Sequence, residues 1–305
     1  MPNNWSNAQV LAQLDSGSHW SGSVITYAFP TTTAGIYDGQ GEDSSFRPVP
    51  IAQQALFRQA LQNWDDLIAP NFQETRSTTS NIEMAFTSSG IEYAHAYFPN
   101  IGSAWFKTGQ DVSYATIGSY GFMTIMHELG HALGLNHMGN YNGSGTWTPS
   151  SFQDSIVLSL MSYFGPRGAA GLPSNEVMSA DWAAANGTIY LPQTPMLNDV
   201  MAIQAIFGAS TTTRTSDTIY GFSCNISGST ANIFNFDLNH NPILTIFDSG
   251  GIDTLNLSGW NSSSTISLEA GSYSSCNQMT NNIAIAYNTS IENATGGGGN
   301  DAITG

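Results

Sequence analysis

The chain has 305 residues and a formal net charge of −16, from 22 acidic and six basic side chains. That balance repels phosphate backbones and excludes a nucleic-acid binder. No apolar run approaches the roughly 20 residues of a membrane span, which excludes a spanning helix. Charged residues are 9% of the chain against roughly 25% in an average globular protein; Gly, Ser, Thr and Asn replace them, favouring turns and short strands.

The length allows two domains, each with its own core. Residues 6–16 (SNAQVLAQLDS) read as a short amphipathic helix and 23–30 (SVITYAFP) as an alternating strand. The segment 51–68 (IAQQALFRQALQNWDDLI) sets Ala55, Leu56, Ala60, Trp64 and Ile68 at helical steps. Strands are predicted at 81–89 (NIEMAFTSS) and 102–108 (GSAWFKT), and a helix at 119–135. A last helix, 196–208 (MLNDVMAIQAIFG), is stopped by Gly208. Past 209–218 (ASTTTRTSDT) the helical period disappears, and short apolar runs alternate with Gly, Asn, Ser and Asp clusters. A boundary therefore falls near residue 209, giving domains 1–208 and 209–305. Residues 296–304 (GGGGNDAIT) fit one copy of the G-G-x-G-x-D-x-apolar-x repeat of calcium-binding parallel β-rolls. Gly305 would open a second copy, so the chain is expected to stop within a longer array. Residues 1–20 lack the basic and apolar regions of a secretory signal. Cys224 and Cys276 are the only cysteines, and both a single bridge and two free thiols fit them.

The densest chemistry is at 126–137, MHELGHALGLNH. His127 and His131 stand one helical turn apart and project from one face, so two neutral imidazoles can share an ion. Glu128 adjoins the first of them and can move a proton between water and a leaving group. Gly134 can take the positive φ that ends the helix, and His137 then approaches as a third ligand. Three nitrogens leave one position open, the arrangement of a catalytic zinc site. The competing reading, a buried helix whose histidines bond to the backbone, gives no reason for this glycine and third histidine. Downstream, SLMSYFG (159–165) adds a methionine turn, and HExxHxxGxxH with such a turn is the metzincin signature. On that signature Met161 would form the apolar floor and Tyr163 would place a phenol near the metal. His19, His95 and His240 have no ligand-like neighbours and read as ordinary histidines.

With these motifs the chain resembles the serralysins, bacterial zinc proteases. The resemblance also rests on PMLNDVMAIQAIFG, TRTSDTIYGF, FDSGGIDTLNLSG, SIENATGGGGND and the GSAWF strand, read as an edge. It implies an α+β metzincin domain, with a mixed twisted sheet and long helices, followed by an all-β parallel β-roll filled with Ca2+; the N-terminal helix is expected to pack on the second domain. It further implies a secreted, extracellular Zn2+ endopeptidase of broad specificity, exported through a C-terminal signal outside this chain. On the same basis His127, His131 and His137 bind zinc and Glu128 is the general base and acid. Tyr163 is a further zinc ligand that swings to the tetrahedral intermediate, and Ser103, Ala104 and Trp105 pair with an extended substrate. One calcium is implied at Arg214, Ser216, Thr218, Asp248, Gly250 and Asp253, and a second at Gly251, Asp253, Ser290 and Glu292. Asp301 with Gly296, Gly297, Gly298 and Gly299 is implied for further sites. The expected partners are protein or peptide substrates and a small protein inhibitor, with no nucleic acid and no membrane, for a monomer. The chain departs from the family at Met138-Gly139-Asn140-Tyr141, where Pro-Gly-Asp-Tyr is usual, which bears on the neighbouring substrate pocket. The rival is a calcium-dependent binding or adhesion module with an inactive or narrowly specific protease half.

Overall fold

A computed structural model describes residues 3–77, 79–142, 148–166, 173–175 and 179–305. The first helix, α1 (Asn7–Leu14), is capped by Ser6, whose hydroxyl accepts the Gln9 N–H while the Gln9 side chain returns to the Ser6 N–H. It buries Val10 and Leu14 and packs on α4 (Leu197–Phe207), the last helix before residue 209. Between them the chain forms β1 (Val24–Ala28), β2 (Arg47–Pro48), α2 (Ile51–Asp65), β3 (Asn71–Glu74), β4 (Ile82–Thr87), β5 (Ala94–Ala96), β6 (Ser103–Lys107) and α3 (Tyr120–Ala132).

The sheet runs β3-β1-β4-β6-β5, with β2 also paired to β4. The β1–β3, β1–β4 and β4–β6 pairs are parallel, whereas β5 runs antiparallel to β6 and closes the sheet at one edge. α3 packs on α2 and contacts β5 and β6. It is buried on every side from Gly121 to Ala132, so it is a central helix and not the half-wetted one that an amphipathic stripe would give. Ser119 caps its start by accepting the Phe122 N–H.

Beyond residue 209 the elements are β7 (Ile219–Gly221), α5 (Ala231–Phe234), β8 (Leu244–Ile246), β9 (Thr254–Asn256), β10 (Thr265–Ser267), β11 (Tyr273–Ser274), β12 (Ile283–Ile285), β13 (Asn293–Thr295) and β14 (Ala302–Thr304). Their pairs are short and parallel: β7–β9–β13, β8–β12 and β10–β14. Two features depart from an all-β parallel expectation. α5 is a single helical turn that buries Ile233 and Phe234, and β11 runs antiparallel to β12. One apolar cluster joins both halves, from Val10 and Trp64 through Ile203 to Phe236 and Ile285. Both cysteines are free, Cys276 buried and Cys224 half-buried.

Candidate metal centre

Three ring nitrogens meet at the C-terminal end of α3. His131 Nε2 lies 3.0 Å and His127 Nε2 3.2 Å from His137 Nε2. Nitrogens at about 2.0–2.1 Å from one tetrahedral ion stand about 3.3 Å apart, close to this spacing. Each opposite ring nitrogen is spoken for by the backbone. His127 Nδ1 is 2.7 Å from the Leu160 carbonyl, His131 Nδ1 2.6 Å from Leu135 and His137 Nδ1 2.9 Å from Tyr141. With Nδ1–H donated to a carbonyl, every Nε2 lone pair points inward, as metal ligation requires. Burial pushes the imidazoles down, His127 to about 4 and His137 to about 3, so the rings stay neutral and ready to ligate at ordinary pH. Among the described residues this is the only group of three or more His, Cys, Asp or Glu whose ligand atoms all lie within 4.8 Å.

Gly134 makes the third ligand reachable. Its φ is +106°, and a Cβ there would stand 2.3 Å from the Ser18 carbonyl oxygen. Both the conformation and the close approach demand glycine. Gly130 serves packing instead: the place a Cβ would take is 2.7 Å from Met161 Sδ, so the methionine lies directly against α3. The Tyr163 ring is 4.6 Å from that of His137 and 6.0 Å from that of His127.

Glu128 is buried beside the trio, and its Oε2 has no hydrogen-bond partner. Burial raises its carboxyl to about 8, opposed by a backbone bond from Ala96 on β5. A cleft of about 490 Å3 opens onto the trio, Glu128 and Tyr163, rimmed by Gln13, His95, Phe98 and Asn140. Among the described residues, a second cleft of the same volume, between Asp65 and Asp217, is lined by no histidine and no orphaned buried side-chain atom.

One expectation is overturned. Ser103, Ala104 and Trp105 are fully buried in β6, which pairs with β4 on one side and β5 on the other. An interior strand has no free backbone edge to offer a peptide. The free edge borders the cleft at β5, a strand the sequence reading missed because three residues are too few to display a period.

The structure also brings together several of the residues implied for calcium. The Thr218 N–H donates to Asp253 Oδ1 at 2.7 Å and the Asp253 N–H to Glu292 Oε2 at 2.8 Å. Asp248 accepts from the Gly250 N–H and the Tyr220 hydroxyl. A Cβ on Gly251 would sit 2.8 Å from both the Ser216 carbonyl oxygen and Asp253 Oδ1. Burial, aided by the Asp248 and Glu292 charges, raises Asp253 to about 6. Arg214 takes a left-handed φ of 52°, and its guanidinium binds Asp66 of the first half. Asp301 accepts the Ser264 N–H at 2.8 Å and lies against Gly296, while Gly297, Gly298 and Gly299 pack on residues 257–263. The Ser290 side chain is exposed.

Three residues that the sequence reading did not assign to the site, Asp154, Asp199 and Tyr141, hold it together. Asp199 accepts the Ser159 hydroxyl at 2.6 Å, the Leu160 N–H at 2.7 Å and the Met196 N–H at 2.8 Å. It occupies the third position of α4, where an acidic residue caps a helix start, and that was its only sequence signal. Asp154 accepts from the Tyr141 and Ser162 hydroxyls and the Ser150 N–H, and no motif marked it.

A mixed sheet over a helix with two ligands, a glycine turn to a third and a methionine lying beneath define a metzincin-type zinc site. The matrixin family model matches residues 20–143, and the model for the Peptidase M10 serralysin C terminal matches residues 209–305. Serralysin A of Dickeya chrysanthemi is 36% identical over 312 residues, covering 93% of this chain and 60% of that protein. A serralysin C of the same organism is 33% identical over 322 residues, covering 97% and 63%. The serralysin of Photorhabdus laumondii is 33% identical over 280 residues, covering 86% and 55%. The chain belongs to the serralysin family, and zinc is the ion that family and histidine trio support. It spans little more than half the length of these relatives. Among the described residues no helix is long and apolar enough to cross a membrane.

Proposed function

We propose that the chain is the peptide-cleaving part of a zinc endopeptidase acting on proteins outside the cell. The observation that carries this reading is the orphaned carboxylate oxygen of Glu128 beside three inward-facing Nε2 atoms in an open cleft. His127, His131 and His137 would hold the metal, which supplies a Lewis acid that polarises a carbonyl and acidifies water. Glu128 takes the proton of the attacking water and delivers it to the leaving amine; burial, which raises its carboxyl above the ordinary carboxylate range, makes it a stronger base. Tyr163, whose ring lies against His137, would be a further ligand at rest and would donate a hydrogen bond to the oxyanion during reaction. An extended substrate adds to the sheet along β5, and Ala94 and Ala96 leave room for it. Of the two residues that depart from the Pro-Gly-Asp-Tyr pattern, Asn140 lines this cleft and Met138 is fully buried.

The segment 209–305 is proposed as a domain of its own, a calcium-binding parallel β-roll that stabilises the protein and takes no part in peptide cleavage. Its short parallel ladders and the clustered Asp248, Asp253 and Glu292 support this reading. An adhesion module with a dead protease half would have no use for Glu128 and Tyr163 at these positions. The deciding experiment is casein cleavage with metal analysis, with and without 1,10-phenanthroline. One bound zinc with chelator-sensitive cleavage is expected; a zinc-loaded, folded protein that cleaves nothing overturns the proposal.

A further inference from the structure

We infer that Tyr141 is a positioning residue for Tyr163: its ring is the surface against which the Tyr163 phenol is set, and Asp154 fixes that ring in turn. The inference rests on the peptidase reading above. The Tyr141 and Tyr163 rings stack with centroids 4.6 Å apart and planes inclined by 28°. The Tyr141 hydroxyl oxygen accepts the Tyr163 backbone N–H at 3.1 Å. One residue thus grips both the ring and the backbone of Tyr163.

Tyr141 is held from behind. Its hydroxyl donates to Asp154 Oδ1 at 2.6 Å, and the same oxygen accepts the Ser162 hydroxyl at 2.7 Å. Asp154 Oδ2 accepts the Ser150 N–H at 2.9 Å, and its carbonyl oxygen accepts from Asn175 Nδ2 at 2.8 Å. The carboxylate is fully buried and its side-chain oxygens are satisfied, so it makes a rigid anchor. Asp154 therefore ties Ser162, which precedes Tyr163, to the segment carrying Tyr141. Separately, the Tyr141 carbonyl orients His137. Backbone and side chain of this residue serve two different groups, so a side-chain replacement separates them.

A phenol that must leave one partner and reach another needs a defined resting place and a defined arc. A stacked neighbour supplies both at little cost, because aromatic rings slide over one another more easily than they separate. Without that wall Tyr163 samples rotamers from which its hydroxyl misses the oxyanion, and a misplacement of about 1 Å costs up to about 10²-fold in rate. Metal affinity rests on the three imidazoles, and the bond from His137 Nδ1 to the Tyr141 carbonyl survives the side-chain change.

The test compares Tyr141→Leu, which removes the ring, with Tyr141→Phe, which keeps it and loses only the oxygen. Four quantities are read: casein-peptide kcat, KM, zinc affinity by chelator competition, and visible absorption of the copper-loaded protein, where bound phenolate gives a charge-transfer band. The leucine variant should lose about 10–100-fold in kcat and the copper band, with KM and zinc affinity within about threefold of wild type. Phenylalanine should restore the band and bring kcat to within about tenfold of wild type. Wild-type kcat and band in the leucine variant overturn the inference; so does a loss of zinc affinity as large as the loss of activity, which would make Tyr141 a support for His137 only. If the leucine variant does not fold, Tyr141→Met, which fills the site without a ring, takes its place with the same expected and overturning results. A wild-type protein with neither cleavage nor band sinks the peptidase reading itself, a different result from intact wild-type behaviour with indifferent variants.

Discussion

His127 Nδ1 lies 2.7 Å from the carbonyl oxygen of Leu160, so the first ring of the trio is oriented by the turn that carries Met161. The N–H of that same leucine is held by Asp199 at 2.7 Å. Replacing Asp199 with alanine should orphan the Leu160 and Met196 N–H groups and the Ser159 hydroxyl, costing about 3 kcal/mol of stability. Zinc affinity should fall about tenfold, as for other lost supports of a ligand. Asparagine keeps an acceptor and should recover most of both. Chelator competition and a urea melt check this; normal zinc affinity in the alanine variant would show that Leu160 needs no such hold.

Glu128→Gln should fold, bind zinc as before and lose about 10²–10⁴-fold in kcat/KM, because the amide cannot take the water proton. Near-normal casein cleavage by a zinc-loaded variant would defeat the assigned role.

Tyr163→Phe should lower kcat by about 10²–10³-fold while KM changes little, since the phenol is assigned a contact made mainly in the transition state. A change confined to KM would place Tyr163 in substrate binding instead.

Gly134→Ala should weaken zinc binding more than tenfold and destabilise the fold by more than about 1 kcal/mol. The residue has φ +106°, and the added Cβ would press on the Ser18 carbonyl. Unchanged zinc affinity would mean that His137 reaches the ion by another route.

The calcium reading has a pH signature. Burial raises folded Asp253 to about 6, whereas an unfolded aspartate titrates near about 3.9. Between those values the folded state binds the proton more tightly, so without calcium the protein should become more stable as pH falls from 7 to 5. Bound calcium would favour the ionised carboxylates, and the same acidification should then destabilise. Melting temperatures in chelator and in millimolar calcium, across that range, test both signs. Identical profiles would remove calcium from this cluster.

The sequence alone determined the metal trio and the base. His127, Glu128 and His131 are fixed by one helical turn, and Gly134 with His137 by one left-handed reversal. Such geometry is local: the backbone repeat dictates it before any tertiary contact forms. The long helices were legible for the same reason, and α2, α3 and α4 lie inside their predicted spans. Only the tertiary structure decided which strand is exposed. β5 precedes β6 in the chain yet lies outside it in the sheet, an order that packing chooses and periodicity does not encode. The grip on the ligands was equally hidden. Leu160, Asp199, Tyr141 and Asp154 reach the histidines and the methionine turn through backbone carbonyls and buried carboxylates. Hydrogen-bond partners of that kind are selected by which chain segments meet in space, and residue spacing along the chain carries no trace of it.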